Sequence, residues 1–184
     1  TSDVDLALRY SVPGPATQGG MRLFGEQLAV VASPWLLKGK PELRTPADVA
    51  QFTLIEASDA HRSAHLEWLS WRRWLDIHGV DKLQPERWLY FNYAHQIAQA
   101  ALSGQGLALS RMPLIADALA AGDLLEVLPQ HRIDTPLAYW LMVGPRSAQR
   151  PEVKAFCTWL AAQAEITRAA IGDGPDPDTQ DHLD

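Results

Sequence analysis

The stretch RWLYFNYAHQIAQAALSGQGLALSR, residues 87–111, decides the fold class. RWLYF (87–91) and LALSR (107–111) are short runs of the apolar and aromatic residues that strands favour. Between them YAHQIAQAALSGQG carries Ile97, Ala101 and neighbouring alanines, a helical stretch that stops at Gly104.

The same alternation extends outward. Upstream, FTLIEA (52–57) reads as a strand, and in TPADV before it Thr45 is an N-cap, Pro46 the first helical residue and Asp48 a first-turn acid. QLAVVAS (27–33) is an apolar run ended by Pro34, and Ser11 to Gly20, with its prolines and glycines, is a loop. In DVDLALRY (3–10), Val4, Leu6, Leu8 and Tyr10 alternate with Asp5, Ala7 and Arg9, the period of a strand. Leu66, Leu69, Trp71, Trp74 and Leu75 predict one helix from about Ala64 to His78, stopped by Gly79.

Downstream, PLIADALAAG reads as a helix and LAYWLMV (137–143) as a buried strand. Pro151 opens a helix with Val153, Phe156, Cys157, Leu160 and Ala164 on one face. The closing GDGPDPDTQDHLD is acidic and rich in Pro and Gly, a composition expected to be disordered. Strands alternating with helices predict an α/β fold with a mostly parallel sheet.

At 184 residues and 47% hydrophobic, the chain has the size of one domain or two small lobes and can bury roughly 70% of its unfolded surface. A net charge of -6 leaves no basic stripe to neutralise phosphates. The single cysteine, Cys157, excludes an internal disulfide and lies on the apolar face of its helix. No apolar run is long enough for a membrane span, so a cytoplasmic location is expected. The strand pattern begins at once, without a methionine or a leader, which reads as the middle of a domain.

Catalytic and metal signatures are sparse. No G-x-S-x-G, P-loop, G-x-G-x-x-G or H-E-x-x-H occurs, and SGQG (103–106) ends a helix instead of opening one, against a phosphate cradle. His61 and His65 lie four apart without an acidic or cysteine partner nearby, so no metal is expected. Trp68, Trp71 and Trp74 look like an aromatic ligand box, but such stripes face a core or a partner subunit more often. No cofactor is implied, and without paired acid, base and nucleophile an enzyme is not expected.

Several stretches in order carry a resemblance: DLALRY (5–10), SP (33–34) after a strand, TPADV (45–49), AALSGQGLAL (100–109), AYWL (138–141) and FCTWL (156–160). Together, over about residues 3–166, they resemble LysR-type transcription regulators of the branch that holds the glycine-cleavage activator and the β-lactamase regulator. The resemblance implies a two-lobed, periplasmic-binding-protein-like effector domain that lacks its first strands. Residues 1–25 and 131–168 would belong to lobe I and 26–130 to lobe II, with 169–184 a disordered tail. It also implies a small effector, anionic or amino-acid-like, in the cleft between lobes, and a homodimer or homotetramer. Operator DNA would be bound only through a helix-turn-helix absent here, with RNA polymerase as a further partner. An extracytoplasmic solute-binding protein of a transporter has the same lobe design and is the alternative.

Ligands of open α/β sheets collect where strands end and helices begin. That rule selects Arg9 and Tyr10, Ser58, and Asn92, Tyr93 and Ala94. Arg9 can pair an effector carboxylate or pack at the surface, and Asn92 can contact a ligand or cap the helix beside it. Tyr139, through AYWL, matches a tyrosine that lines the effector site in the β-lactamase-regulator branch; its other reading is a buried strand tyrosine.

Overall fold

The computed structural model describes residues 6–58 and 66–171. These form the strands β1 (Leu6–Ser11), β2 (Met21–Ala32), β3 (Thr53–Ala57), β4 (Arg87–Phe91), β5 (Leu107–Arg111), β6 (Leu125–Val127) and β7 (Ile133–Val143). The α-helices are α1 (Pro34–Leu37), α2 (Trp71–Ile77), α3 (Ala94–Leu102), α4 (Met112–Ala121) and α5 (Pro151–Ile171). The chain divides into two compact units, Gln27–Thr135 and Thr1–Glu26 with Pro136–Asp184, and β2 and β7 each run through both.

In the unit Gln27–Thr135, β3 pairs parallel with β4 (Thr53↔Arg87 to Ala57↔Phe91) and with β5 (Leu54↔Leu107). The stretch 87–111 therefore crosses over β3, with α3 between its two strands. β2 is antiparallel to both β5 and β6. The sheet is mixed, against the expectation of a mostly parallel one: an apolar run announces a buried strand but not its direction, which the connection sets.

Leu28, Val30 and Ala32 of β2 join Phe52, Leu54, Leu107, Trp71 and Trp74 in one core. Both tryptophans are fully buried, and each indole N–H finds a carbonyl: Trp71 Nε1 donates to Ile55 at 2.8 Å and Trp74 Nε1 to His131 at 2.8 Å. Of the tryptophan series, Trp71 and Trp74 are core, whereas Trp68 is half-buried with its ring 5.0 Å from the Arg73 guanidinium. The predicted single helix is instead a 3-10 turn (Leu66–Leu69) followed by α2, because Ser70 Oγ accepts the Arg73 N–H at 3.2 Å and caps a new start. His61 and His65 lie outside the described residues.

Two punctuation marks hold the β3 neighbourhood. Asp48 accepts the backbone N–H groups of Arg44 and Thr45, both at 2.8 Å, which sets the turn that delivers β3. Gly106 opens β5, where a Cβ would stand 2.6 Å from the Thr53 carbonyl oxygen, so only glycine allows this approach of the two strands.

In the other unit β1 pairs antiparallel with β7, from Leu6↔Val143 to Ser11↔Ala138. Ala164, Cys157 and Leu160 of α5 pack on Leu23, Leu141, Phe24 and Tyr139, and Arg168 Nη1 donates to the Leu23 carbonyl at 2.9 Å. Phe156, placed on the apolar face by spacing, is instead exposed, and so is Leu8 of β1. β2 starts at Met21 and β7 at Ile133, both earlier than predicted. Gly25 and Glu26 interrupt the first apolar pattern and Pro136 the second, and the strands run through all three.

Candidate functional site

In the unit Thr1–Glu26 with Pro136–Asp184, two of the three selected residues meet. Tyr10 and Tyr139 are direct partners across the β1–β7 ladder, with ring centroids 4.9 Å apart. Phe24 adds its ring 4.8 Å from Tyr139, on the other side of β7 from β1. The Tyr10 hydroxyl donates to the carboxylate of Glu26, which is only 4% exposed. A buried carboxylate requires such donors, because its desolvation is otherwise uncompensated.

Arg9 does not join this group. Successive strand residues face opposite sides of a sheet, so Arg9 pairs with Trp140 on the face away from Tyr10 and is exposed there. Glu26 was missed because the strand was begun at Gln27, whereas β2 starts at Met21. An acid within an otherwise apolar strand is the signal that points to it.

In the unit Gln27–Thr135, Ser58 and Asn92 follow the paired residues Ala57 and Phe91 at the carboxyl ends of two adjacent parallel strands. The Ser58 N–H donates to the Phe91 carbonyl at 2.8 Å, extending the ladder by one step. Asn92, Tyr93 and Ala94 are exposed beside it. The N-cap of α3 is Tyr93, not Asn92. Gln96 Oε1 accepts the backbone N–H groups of Asn92 and Tyr93, both at 3.2 Å, so the cap comes from the third helical residue reaching back. Two N–H groups that the strand-end rule would offer to an anion are thereby engaged within the chain. The exposed ring of Tyr93 stacks on His95 with centroids 5.6 Å apart.

No group of three or more His, Cys, Asp or Glu able to hold a metal occurs among the described residues, and no described helix is long and apolar enough to cross a membrane. What the described residues present are aromatic rings, hydroxyls and amides at strand ends, groups that bind and orient a small molecule.

A mixed sheet with helices is the architecture of the effector domains of LysR-type transcription regulators. The model of the LysR substrate binding domain matches residues 1–165, and the chain belongs to that family. Among curated proteins it is 31% identical over 169 residues to the glycine cleavage system transcriptional activator of Escherichia coli strain K12, covering 88% of this chain and 50% of that protein. It is 26% identical over 151 residues to the HTH-type transcriptional regulator TrpI of Pseudomonas aeruginosa, covering 82% and 48%. The chain thus spans about half the length of the curated relatives it matches. The effector domain of AmpR of Pseudomonas aeruginosa superposes with a TM-score of 0.61 at 26% identity, covering 89% of this chain and 73% of that one. The regulatory domain of CrgA of Neisseria meningitidis shares the fold, with a TM-score of 0.64 at 18% identity over 88% of this chain and 76% of that one. These matches favour a transcription regulator over the solute-binding protein of a transporter.

Proposed function

We propose that this chain senses a small, anionic or amino-acid-like metabolite for a cytoplasmic LysR-type regulator, with no chemistry of its own. The observation that carries this reading is the family match over residues 1–165. The candidate effector contacts of the unit Thr1–Glu26 with Pro136–Asp184 are Tyr10 and Tyr139, which face one side of the sheet, and Arg9, which faces the other. Those of the unit Gln27–Thr135 are Ser58, Asn92, Tyr93 and Ala94. Operator DNA is bound by a helix-turn-helix outside this chain, and RNA polymerase is a further partner of the whole regulator.

Regulation needs a difference in effector affinity between two states, about 1–3 kcal/mol of coupling out of the roughly 8 kcal/mol that micromolar binding represents. The chain works as a homodimer or homotetramer. The exposed Phe156 and Trp159 of α5, rings 5.9 Å apart, supply an apolar face for it.

The test is a thermal-shift screen of the chain against amino acids, small carboxylates and cell-wall fragments. Stabilisation growing with ligand concentration, about 2.7 kcal/mol at a hundredfold excess over Kd, is expected for one class. A flat response from folded protein across all three classes rejects metabolite sensing.

A further inference from the structure

Apart from the strand ends, α2 closes on a pair of histidines. His78, the C-cap of α2, brings Nε2 to 3.0 Å from the backbone carbonyl of His131, which also accepts the Trp74 indole N–H at 2.8 Å. One turn earlier Arg73 donates to the carbonyl of Asp134 at 2.7 Å. Three side chains spread along α2 and its C-cap thus hold the backbone of residues 131–134, the stretch that enters β7.

Among the described residues, no carboxylate acts on His78. Its imidazole meets that of His131 edge to face with centroids 5.0 Å apart, and the Trp74 ring lies 4.6 Å away on its own helix. Arg73 is engaged by the carbonyls of Trp68 and Asp134, the Asp134 carboxylate takes the Gln27 amide at 2.7 Å, and Arg132 is paired with Glu126 at 2.9 Å. Asp76, on the same helix, is exposed. Nδ1 of His131 is buried with no hydrogen-bond partner among the described residues.

We propose that His78, set between Trp74 and His131, is a proton-sensitive latch that fastens α2 to the segment entering β7. In the neutral tautomer with hydrogen on Nε2, His78 donates to the His131 carbonyl and the latch is closed. A second proton places a charge on a half-buried ring facing another imidazole, and release into water relieves it. Burial, with His131 as a repelling neighbour, holds His78 below the usual histidine value of 6.5, against the smaller opposing effect of its bond to the His131 backbone. The open form therefore binds the proton more readily. Closure is at full strength above pH about 6.5 and weakens as pH falls toward the depressed value, by at most tenfold per pH unit for one proton.

The experiment is ¹⁵N NMR on the chain from pH 5 to 7.5, following the His78 imidazole and hydrogen exchange of the Trp74 indole N–H, corrected for intrinsic exchange and assigned with Trp74→Phe. A His78 midpoint below 6.5 and a Trp74 opening constant that rises as pH falls are expected. His78→Gln keeps a donor for the carbonyl but cannot titrate, and should remove the pH slope. His131→Asn should move the His78 midpoint upward in a variant that leaves His78 intact. A His78 midpoint at or above 6.5, or an unchanged slope in His78→Gln, overturns the latch.

Discussion

Tyr10 and Tyr139 stand opposite each other on β1 and β7 with ring centroids 4.9 Å apart, and the Tyr10 hydroxyl donates to the buried carboxylate of Glu26. The ring therefore packs against one strand while its hydroxyl serves another. Tyr10→Phe keeps the packing and removes one donor from Glu26, which should cost about 1–3 kcal/mol in urea unfolding. Tyr10→Phe combined with Glu26→Gln should recover part of that loss, because no buried charge is then left short of a donor. A double variant as unstable as the sum of its parts would show that the two groups are not coupled.

Gly106 and Gly39 separate two reasons for glycine. At Gly106 a methyl group would press on the Thr53 carbonyl at 2.6 Å, so Gly106→Ala should destabilise by about 1–3 kcal/mol or more. Gly39 has open space around it but a φ of +80, so Gly39→Ala should lose about 1 kcal/mol from backbone strain alone. Equal effects in thermal unfolding would remove the steric explanation for Gly106.

Gln96 can be tested as the cap of α3. Gln96→Ala releases the Asn92 and Tyr93 N–H groups and should lower stability by about 1 kcal/mol, while Gln96→Glu should restore it through the same acceptor geometry. If an anionic effector competes for those N–H groups, Gln96→Ala should bind it more tightly than the parent chain does.

Asp48 supplies an acid-side prediction. Hydrogen bonds from the Thr45 and Arg44 backbone N–H groups, in that order, hold its carboxyl below the usual value of 3.8. A carboxylate with a lowered value stabilises the folded state above its unfolded value, and the contribution is lost as pH falls through the folded one. The NMR midpoint of Asp48 should lie below 3.8, and Asp48→Asn should flatten the corresponding part of the acid unfolding curve. A midpoint at or above 3.8 would contradict the geometry.

The crossover at 87–111 was legible because Gly104 and the alanines around Ile97 separate a helix from two strands unmistakably. Strand direction was not, since the side chains of QLAVVAS report burial alone. Ser70 escaped notice inside a run of periodic apolar residues, although its hydroxyl is what divides the predicted helix in two. For the site, strand ends could be found by rule, and the alternation of DVDLALRY already set Arg9 and Tyr10 on opposite faces, but which of the two faces carries Tyr139 depends on the β1–β7 register, which the sequence does not print. Family resemblance supplied Tyr139, and nothing in its own surroundings in the sequence would have paired it with Tyr10.

The nesting of one unit within the other bears on how the molecule comes into being. Gln27–Thr135 is a single uninterrupted length of chain, whereas β1 waits for partners between Ala138 and Val143. Closing so long a loop costs entropy that local contacts do not incur. On the ribosome the inner unit can therefore fold while Tyr10 is still without Tyr139, and the two halves of the outer unit find each other only after their separator has taken shape. The topology thus allows the middle of the chain to take shape before its two flanks meet.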